Sequence, residues 1–246
     1  MTVGYWSALQ VLTQVAGELG LPRPTTVVGL TDVQSVQLLS LLNSAGNELQ
    51  LYYPWEQFTK EWVFDTEFDK AEYDVPDDYK YFTDQTQWDR TDHWPLLGPK
   101  SAQEWAWLKG ALVAALPRLR FRVMKNQFVI WPTPKATGSP ATYNLAMEYV
   151  SKYWVNNEEP PLEKDMITLD NDILLYDPWL LIKFVKFKFY ELKGFQTNGV
   201  NADFMRVFNS LTGKDVGAKI LSLSPKMTSQ YLGPWSVPDG SWNVYG

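Results

Sequence analysis

The chain has 246 residues, enough to bury a substantial core in one large domain or two small ones. Its formal net charge of −6 argues against a protein that grips nucleic acid by neutralising phosphates. The absence of cysteine excludes disulfides, thiolate nucleophiles and cysteine-based metal sites. The aromatic share of 15% is high, and such rings are typical of protein interfaces and of carbohydrate sites.

The sequence predicts neither a secretory signal nor a membrane span. The first ten residues lack a basic region followed by an apolar core. The most apolar helical stretch, 174–192, is interrupted by Lys183, Lys186 and Lys188. We therefore expect a soluble protein.

Two helices are predicted near the N-terminus. Ser7 is a suitable N-cap for the first helix, whose apolar residues recur at helical spacing up to Gly20. The second helix is predicted to start at Thr31, with Gln34 in the capping-box position, and to end at Tyr53. Both have strong apolar faces, so we expect them to pack on each other or on a partner.

The middle of the chain alternates apolar and polar residues as strands do. The run 62–75 predicts a β-hairpin closed by the turn at 75–79. A second hairpin is predicted with its turn at Lys125-Asn126, and another strand starts at Tyr143. In the first strand of that second hairpin, alternate side chains point to opposite faces: Leu119, Phe121 and Val123 to one, and Arg118, Arg120 and Arg122 to the other.

Between these hairpins lies a stretch, 88–109, with four tryptophans and the only histidine. Ser101 is a plausible N-cap and Glu104 completes a capping box. The helix predicted at 101–115 places three apolar residues on one face, Trp105, Leu108 and Leu112. Such a mixture of turn and helix signals predicts a fixed junction between a sheet and a helix.

The C-terminal part is predicted to be helical again. A helix ending at Lys193 has candidate N-caps at 170–172, or begins near Asp177 with Pro178 in its first turn. Asn201 is predicted to cap a final helix. The segment 223–246 mixes Pro, Gly and Ser with aromatics, which predicts an extended arm that docks on its own domain or orders on another subunit.

No catalytic, cofactor or metal site is predicted. His93 is the single histidine and no serine lies in a G-x-S-x-G motif, so a catalytic triad is not indicated. A zinc site or a P-loop also lacks its motif. A carboxylate pair is the one catalytic scheme that the composition permits, but nothing marks any two acidic residues as a pair. The acidic candidates are Asp65, Glu67, Asp77, Asp78, Glu158 and Glu159, which we expect to be solvated loop charges.

The two rows of basic residues suggest interfaces. The arginines at 118, 120 and 122 could line a nucleic-acid channel, meet acidic residues of a neighbour or simply protect a solvent-facing strand. Because the chain is acidic overall, a subunit contact is preferred. The lysines at 183, 186 and 188 are either the solvated face of a helix or a partner for acidic residues.

Seven short motifs occur in a particular order along residues 8–155. They are Thr31-Asp32-x-Gln34, Leu38-Leu39-x-Leu41-Leu42-Asn43, Tyr53-x-Trp55, Tyr73-x-Val75-Pro76-x-Asp78-Tyr79, Trp88-Asp89-Arg90-Thr91, Pro95-Leu96-x-Gly98-Pro99 and Trp105-x-x-Leu108-Lys109. In order and spacing they resemble the head-to-tail adaptor, or connector, proteins of short-tailed bacteriophages, of the tail accessory factor type. The helical C-terminal part resembles them by layout only.

The resemblance implies a structural virion protein without enzyme activity or cofactor. Members of this class form a ring, usually of twelve copies, docked beneath the portal protein at the portal–tail junction. The ring extends the channel through which double-stranded DNA passes, without specific binding, toward the tail or nozzle proteins. Such a protein is made in the host cytoplasm, acts in genome retention and ejection, and has no membrane partner.

We predict an α+β fold in which N- and C-terminal helices form a helical bundle region around an antiparallel β-rich insertion. The predicted boundaries are 1–56 and 157–222 for the helical domain, 57–156 for the insertion with its helix at 101–115, and 223–246 for the extended C-terminal arm.

The helices at 31–52 and 172–193 are the expected ring-forming and portal-facing elements. The predicted portal or subunit contacts are Lys183, Lys186, Trp235, Trp242, Tyr245, Arg118, Arg120 and Arg122. A structural brace between sheet and helices is predicted for Trp88, Asp89, Arg90 and Trp105. The alternative functions are a phage tail-associated protein that binds glycans or cleaves peptidoglycan, since exposed rings near carboxylates also suit sugars, and a non-viral scaffold.

Overall fold

The computed structural model describes residues 4–29, 31–110, 118–134, 142–157 and 162–215. Helices and antiparallel sheets are both present in this part of the chain, which confirms the α+β fold class. The described residues divide into two compact units, unit 1 with 4–59 and 150–215, and unit 2 with 60–149. The predicted arm at 223–246, with Trp235, Trp242 and Tyr245, lies outside the described residues.

Unit 1 is built around one central helix. Its helices are α1 (Ala8–Leu19), α2 (Val33–Tyr52), α4 (Pro178–Lys193) and α5 (Asn198–Asp215), with a short 3-10 helix at Glu56–Phe58. Helix α4 packs against the other three helices. Apolar side chains of α1, α2 and α4 form much of the core, among them Leu12, Val15, Leu42, Leu49, Leu181 and Val185.

The predicted ends of α1 are confirmed. The Ser7 hydroxyl accepts a hydrogen bond from the Gln10 backbone N–H, and the Gln10 side chain accepts one from the Ser7 N–H. Gly20 ends the helix with φ of 69°. For α2 the predicted start is one residue early, because the Asp32 carboxylate, rather than Thr31, caps the helix by accepting from the Ser35 N–H at 3.1 Å.

The two C-terminal helices do not begin at the residues that were predicted first. Asp177 caps α4 and Pro178 occupies its first position, where a residue without an N–H costs nothing. The earlier candidates at 170–172 precede a short strand and do not cap a helix. The start predicted at Asn201 is also wrong, because α5 already begins at Asn198.

A small sheet completes unit 1. Its strands β9 (Val155–Asn156), β10 (Glu163–Lys164) and β11 (Ile173–Leu174) lie in the order β10-β9-β11. Trp154, just before β9, is fully buried against α2. A Cβ added to Gly46 would lie only 2.5 Å from the Trp154 ring atoms Cε2 and Cη2, so this helix position requires glycine.

Unit 2 is a two-layer β-sandwich with one helix. Its elements are β1 (Thr59–Asp65), β2 (Glu72–Asp74), β3 (Tyr79–Phe82), β4 (Trp88–Asp89), β5 (Trp94–Pro95), α3 (Ala102–Gly110), β6 (Arg120–Met124), β7 (Gln127–Trp131) and β8 (Asn144–Ser151). The first sheet has the order β1-β8-β4-β5, with β3 also on β8, and the second has the order β2-β7-β6. Strands β1 and β8 begin or end at residues of unit 1.

One of the two predicted hairpins is confirmed. Strands β6 and β7 pair around Lys125 and Asn126, whose φ angles of 52° and 59° suit a two-residue hairpin turn. The hairpin predicted at 62–75 is wrong, because β1 pairs with β8 and β2 with β7. Alternation correctly indicated which side chains face the core, but it carries no information about which distant strand is the partner.

The core of unit 2 lies between the two sheets. Side chains from β1, β3 and β8 on one side meet side chains from β2, β6 and β7 on the other. The contributors include Trp62, Phe64, Phe82, Tyr73, Phe121, Phe128, Leu145 and Met147. The residues that alternate with them therefore point to the two outer faces of the sandwich.

Candidate interaction surfaces

The stretch 88–109 is fixed in place within unit 2 by local hydrogen bonds. Between β4 and β5 the Asp89 carboxylate accepts from the backbone N–H groups of Thr91, at 2.8 Å, and Asp92, at 3.3 Å. Burial raises the pKa of Asp89, and these two hydrogen bonds only partly oppose that effect. Asp89 therefore holds the turn that presents the side chains around it.

The neighbours of Asp89 in the motif point to the outer face of the five-stranded sheet. Trp88 pairs in register with Ala146, which alternates with the core residues Leu145 and Met147. The Arg90 guanidinium binds the Glu61 carboxylate across this face. Trp88 and Arg90 are therefore surface groups held by a buried Asp89.

The segment that follows lies along the other sheet. The backbone N–H groups of Leu97 and Lys100 donate to the carbonyl oxygens of Leu119 and Phe121, each at 3.0 Å. A Cβ on Gly98 would lie 2.5 Å from the Phe121 carbonyl oxygen, which explains a glycine in this motif. The stretch thus bridges the two sheets of unit 2. Its predicted contact with the helical domain stays a prediction.

Helix α3 begins as predicted and covers the outer face of the second sheet. The Ser101 hydroxyl accepts from the Glu104 N–H at 3.2 Å, and Glu104 accepts in return from the Ser101 N–H at 3.1 Å. Trp105 and Leu108 are buried against Val129 of β7. The predicted extension to 115, with Leu112, lies outside the described residues.

The arginine row of β6 lies on the face that α3 covers. Arg120 pairs with Trp131 and Arg122 with Val129 in the β6–β7 ladder, so both share the face of Val129. Arg118 and Arg120 are buried, and the Arg118 guanidinium lies 4.7 Å from the centroid of the Trp94 ring. Their burial within the chain does not support a subunit or DNA contact for these two residues. Arg122 is half-buried and stays a predicted contact.

The lysines of α4 bind acidic residues of the same chain. The ammonium groups of Lys183 and Lys186 lie 3.0 and 3.1 Å from the same carboxylate oxygen of Glu18 on α1. Lys188 binds Glu48 on α2 at 2.6 Å. These contacts give the lysine row a role in holding α1 and α2 against α4, while its predicted contact with another subunit stays a prediction.

The geometry also bears on the catalytic alternatives. His93 has a left-handed backbone, φ 59°, in an exposed turn between β4 and β5. Asp78, expected to be a solvated charge, is instead buried and binds Lys60 and the Tyr149 hydroxyl, each at 2.8 Å. Within the described ranges, no group of three or more histidines and carboxylates could hold a metal ion. In the same part of the chain, no helix combines the length and apolarity that crossing a bilayer requires.

Sequence reasoning missed three surface residues that the fold makes prominent. Trp107 on α3 is 64% exposed. This agrees with its spacing of two from the buried Trp105, which places it on the opposite side of the helix. Val63 and Glu148 alternate with core residues of β1 and β8 and face outward. The periodicity of the helix and strands indicates these exposed positions as well as the buried ones, but only the buried ones were predicted.

Comparison with known proteins identifies the family. The family model described as SU10 adaptor protein matches residues 6–218, a range that includes every helix and strand described above. No curated protein matches the chain. Adaptors of this kind are structural rather than catalytic proteins, which favours a non-enzymatic role. The chain therefore belongs to the SU10 adaptor protein family and is a phage head–tail adaptor, a virion component that contacts other head and tail proteins.

Proposed function

We propose that the chain assembles into a closed ring that docks on the portal protein and extends the DNA channel toward the tail. The observation that carries the proposal is the family match over residues 6–218, which spans both units. The resemblance in motif order to the connector proteins implies that the ring contains twelve copies of the chain. In the proposed role the protein lies at the portal–tail junction and acts in retaining and ejecting the genome.

The surface of the described residues supports a protein that works through contacts with other proteins. Large apolar side chains are exposed in both units, and they are the candidate contact points for other proteins. They include Val33, Leu51, Tyr52, Phe68, Trp107, Leu162, Trp179, Leu192 and Phe195. A net charge of −6 suits a conduit that DNA passes without binding.

The C-terminal arm is proposed as a portal contact, with Trp235, Trp242 and Tyr245 as its aromatic anchors. Deleting residues 224–246 is expected to abolish binding to the portal ring while the circular dichroism spectrum and the unfolding midpoint stay those of the full chain. Portal binding that persists unchanged in a folded deletion variant contradicts this assignment.

The ring is tested by native mass spectrometry of the purified chain alone and mixed with the isolated portal ring. We expect a monomer alone and, in the mixture, one portal ring carrying a fixed number of copies, twelve by family resemblance. A mixture in which portal and chain stay separate contradicts the proposed function. A ring formed without the portal contradicts only the expectation that assembly waits for the portal.

A further inference from the structure

Helix α5 begins with the pair Asn198-Gly199, the one place in the sequence where glycine directly follows asparagine. Both residues are exposed. Apart from its chain neighbours and the backbone of its own helix, no atom lies within 4 Å of a Cβ added to Gly199. Water therefore has access to the pair, and its backbone has room to move.

An asparagine that precedes glycine can lose its side-chain amide without an enzyme. The backbone nitrogen of the glycine attacks the side-chain carbonyl carbon of the asparagine and forms a new C–N bond. The amide nitrogen leaves as ammonia, which takes the proton of the backbone N–H. Water then opens the resulting cyclic imide at one of its two carbonyl groups, giving either aspartate or isoaspartate. Glycine favours the attack because it has no Cβ to hinder the nitrogen.

The first turn of α5 is weakly held. The first N–H groups of a helix have no acceptor within the helix, so the Gly199 nitrogen is not in the hydrogen-bond ladder. Within the described part of the chain, no side chain caps this end, whereas Asp177 accepts from the Trp179 and Leu180 N–H groups at the start of α4. Glycine also lowers helix propensity. Opening this turn so that the nitrogen reaches the side chain therefore needs little free energy.

A second exposed asparagine of α5 lies in a different setting. Asn209 precedes Ser210 in the interior of the helix, and both residues are exposed. In an α-helix the Ser210 N–H donates to the carbonyl four residues earlier, that of Arg206. The same attack at Asn209 requires this hydrogen bond to break and the middle of the helix to open. Asn209 is therefore protected by its position in the helix and not by burial.

We propose that Asn198, because it precedes glycine in the uncapped first turn of α5, is a site of spontaneous deamidation in the folded chain. The reaction consumes only water and the chain's own atoms, so it does not depend on the proposed ring. It replaces a neutral amide by a carboxylate at the helix start. When the product is aspartate, the backbone is unchanged and the new charge lies where the helix dipole favours it.

The isoaspartate product changes the backbone itself. It inserts an extra backbone atom between residue 198 and Gly199, which shifts the first turn out of register. The hydrogen bond from the Asn201 N–H to the Thr197 carbonyl, 2.8 Å in the unmodified chain, is then lost. Phe204, in the next turn, is buried and stacks on Phe184 of α4 with centroids 4.5 Å apart. The start of α5 is thus loosened while the rest of the helix stays packed.

Peptide mapping by mass spectrometry tests the proposal on the full chain, kept folded in mildly alkaline buffer. Trypsin cleaves after Arg206 and so places Asn198 and Asn209 in separate peptides, and fragmentation separates Asn198 from Asn201. We expect deamidation at Asn198 to be at least about tenfold faster than at Asn209, because a helix end opens more readily than the middle. A rate at Asn198 equal to or below that at Asn209 overturns the proposal.

Two variants separate the effect of glycine from that of the helix end. Gly199→Ala is expected to slow the reaction at Asn198 at least about tenfold, because the added methyl group hinders the attack. Ser210→Gly gives Asn209 the same neighbour inside the helix, and Asn209 is still expected to react more slowly than Asn198. An unchanged rate in Gly199→Ala, or equal rates at the two asparagines in Ser210→Gly, overturns the proposal.

Hydrogen exchange tests the effect of the isoaspartate product. In chains that carry isoaspartate at position 198, the Asn201 amide is expected to exchange faster than in fresh chain, while amides beyond Phe204 keep their protection. Asn198→Asp adds the charge without the extra backbone atom and is the matched control, expected to exchange as fresh chain does. Unchanged exchange at Asn201 in the isoaspartate chains would overturn the proposed loosening of α5.

Discussion

Among the described residues, most ion pairs of unit 1 are partly shielded from water, whereas most of those in unit 2 lie on the surface. The exception in unit 1 is Arg206–Asp203 on α5, whose side chains are 76% and 52% exposed. In unit 1 the side chains of Lys164 and Asp172 are 10% and 0% exposed, and those of Lys183 and Glu18 are 23% and 19% exposed. In unit 2, the pairs Lys70–Glu67 and Arg90–Glu61 have both side chains near half exposure. Lys60–Asp78, with a mostly buried carboxylate, is the exception in unit 2.

This difference indicates that the two units are stabilised in different ways. A shielded pair is strongly destabilising to break, because the remaining charge stays away from water. An exposed pair contributes little and is weakened by salt. Both units contain stacked, buried rings: Phe121 on Phe128 in unit 2, with centroids 5.0 Å apart, and Phe184 on Phe204 in unit 1, at 4.5 Å. We therefore expect lost charges to destabilise unit 1 more than unit 2, and lost apolar volume to destabilise both units.

The largest expected effect is that of Trp105→Ala in unit 2. The side chain is 4% exposed against Val129, so truncation is expected to lower the free energy of unfolding by about 3–5 kcal/mol. Its indole N–H has no hydrogen-bond partner in the structure described, so the loss is one of packing. Chemical denaturation measures this loss of unfolding free energy. The control is Trp107→Ala, which is expected to change the unfolding free energy by less than about 0.5 kcal/mol. A loss below about 1 kcal/mol for Trp105→Ala places this ring on a surface.

A comparable loss is expected in unit 1 from Asp172→Asn. The carboxylate is fully buried and accepts from the backbone N–H groups of Thr168 and Leu169, at 2.7 and 2.9 Å, as well as binding Lys164 at 2.6 Å. Neutralising it leaves the Lys164 ammonium without its buried counter-ion, and we expect a loss of about 3 kcal/mol in the free energy of unfolding. Urea unfolding at neutral pH tests this. An unchanged midpoint would show that the pair contributes nothing net.

A smaller loss tests packing inside unit 1. Gly46→Ala would drive a methyl group into the fully buried Trp154 ring, and we expect a loss of about 1–3 kcal/mol despite the better helix propensity of alanine. Gly213→Ala in α5 is the matched control, since no atom lies within 4 Å of its added Cβ. The control is expected to be neutral or stabilising by up to about 1 kcal/mol. Equal thermal midpoints for the two variants would contradict the close contact.

The smallest expected effect depends on pH. Burial alone would raise the pKa of Glu18, but hydrogen bonds from Lys183 and Lys186 outweigh it and hold that pKa below its ordinary value. A carboxyl with a depressed folded-state pKa contributes stability above its unfolded-state pKa, and this is lost as pH falls through the folded-state pKa. Glu18→Gln is therefore expected to cost about 1 kcal/mol at neutral pH and much less in acid.

The measurement is the difference in unfolding free energy between natural chain and Glu18→Gln across the acid range. Glu191→Gln, on the exposed side of α4, is expected to match the natural chain at every pH. A difference for Glu18→Gln that does not shrink on acidification would show that its carboxylate is not what holds α1 to α4.

Local features of the fold could be predicted from sequence and distant pairings could not. The N-cap at Ser7 and the capping box at Ser101 and Glu104 depend on residues three positions apart, and both were predicted correctly. The hairpin at 62–75 was wrong because the true partner of β1 is β8, far along the chain. A pattern of alternation specifies two faces of a strand, while the choice of partner depends on the packing of the whole unit.

For the candidate surfaces, too, local features could be predicted from the sequence and contacts with distant elements could not. Sequence indicated correctly that Arg120 and Arg122 share a face, but not that α3 covers it. The lysines of α4 were recognised as a row, but their partner Glu18 lies on α1, at a distance in sequence that no local pattern reports. For Trp107 the local sequence was sufficient, because helical periodicity alone places it opposite Trp105. Its exposure could therefore have been predicted, but it was not.

The most direct test of the central claim is a cryo-electron microscopy reconstruction of the virion's portal–tail junction. We predict a closed ring of this chain directly beneath the portal, surrounding the DNA channel. A reconstruction in which the chain is absent from that position, or is present as separate copies that do not form a ring, would contradict the account.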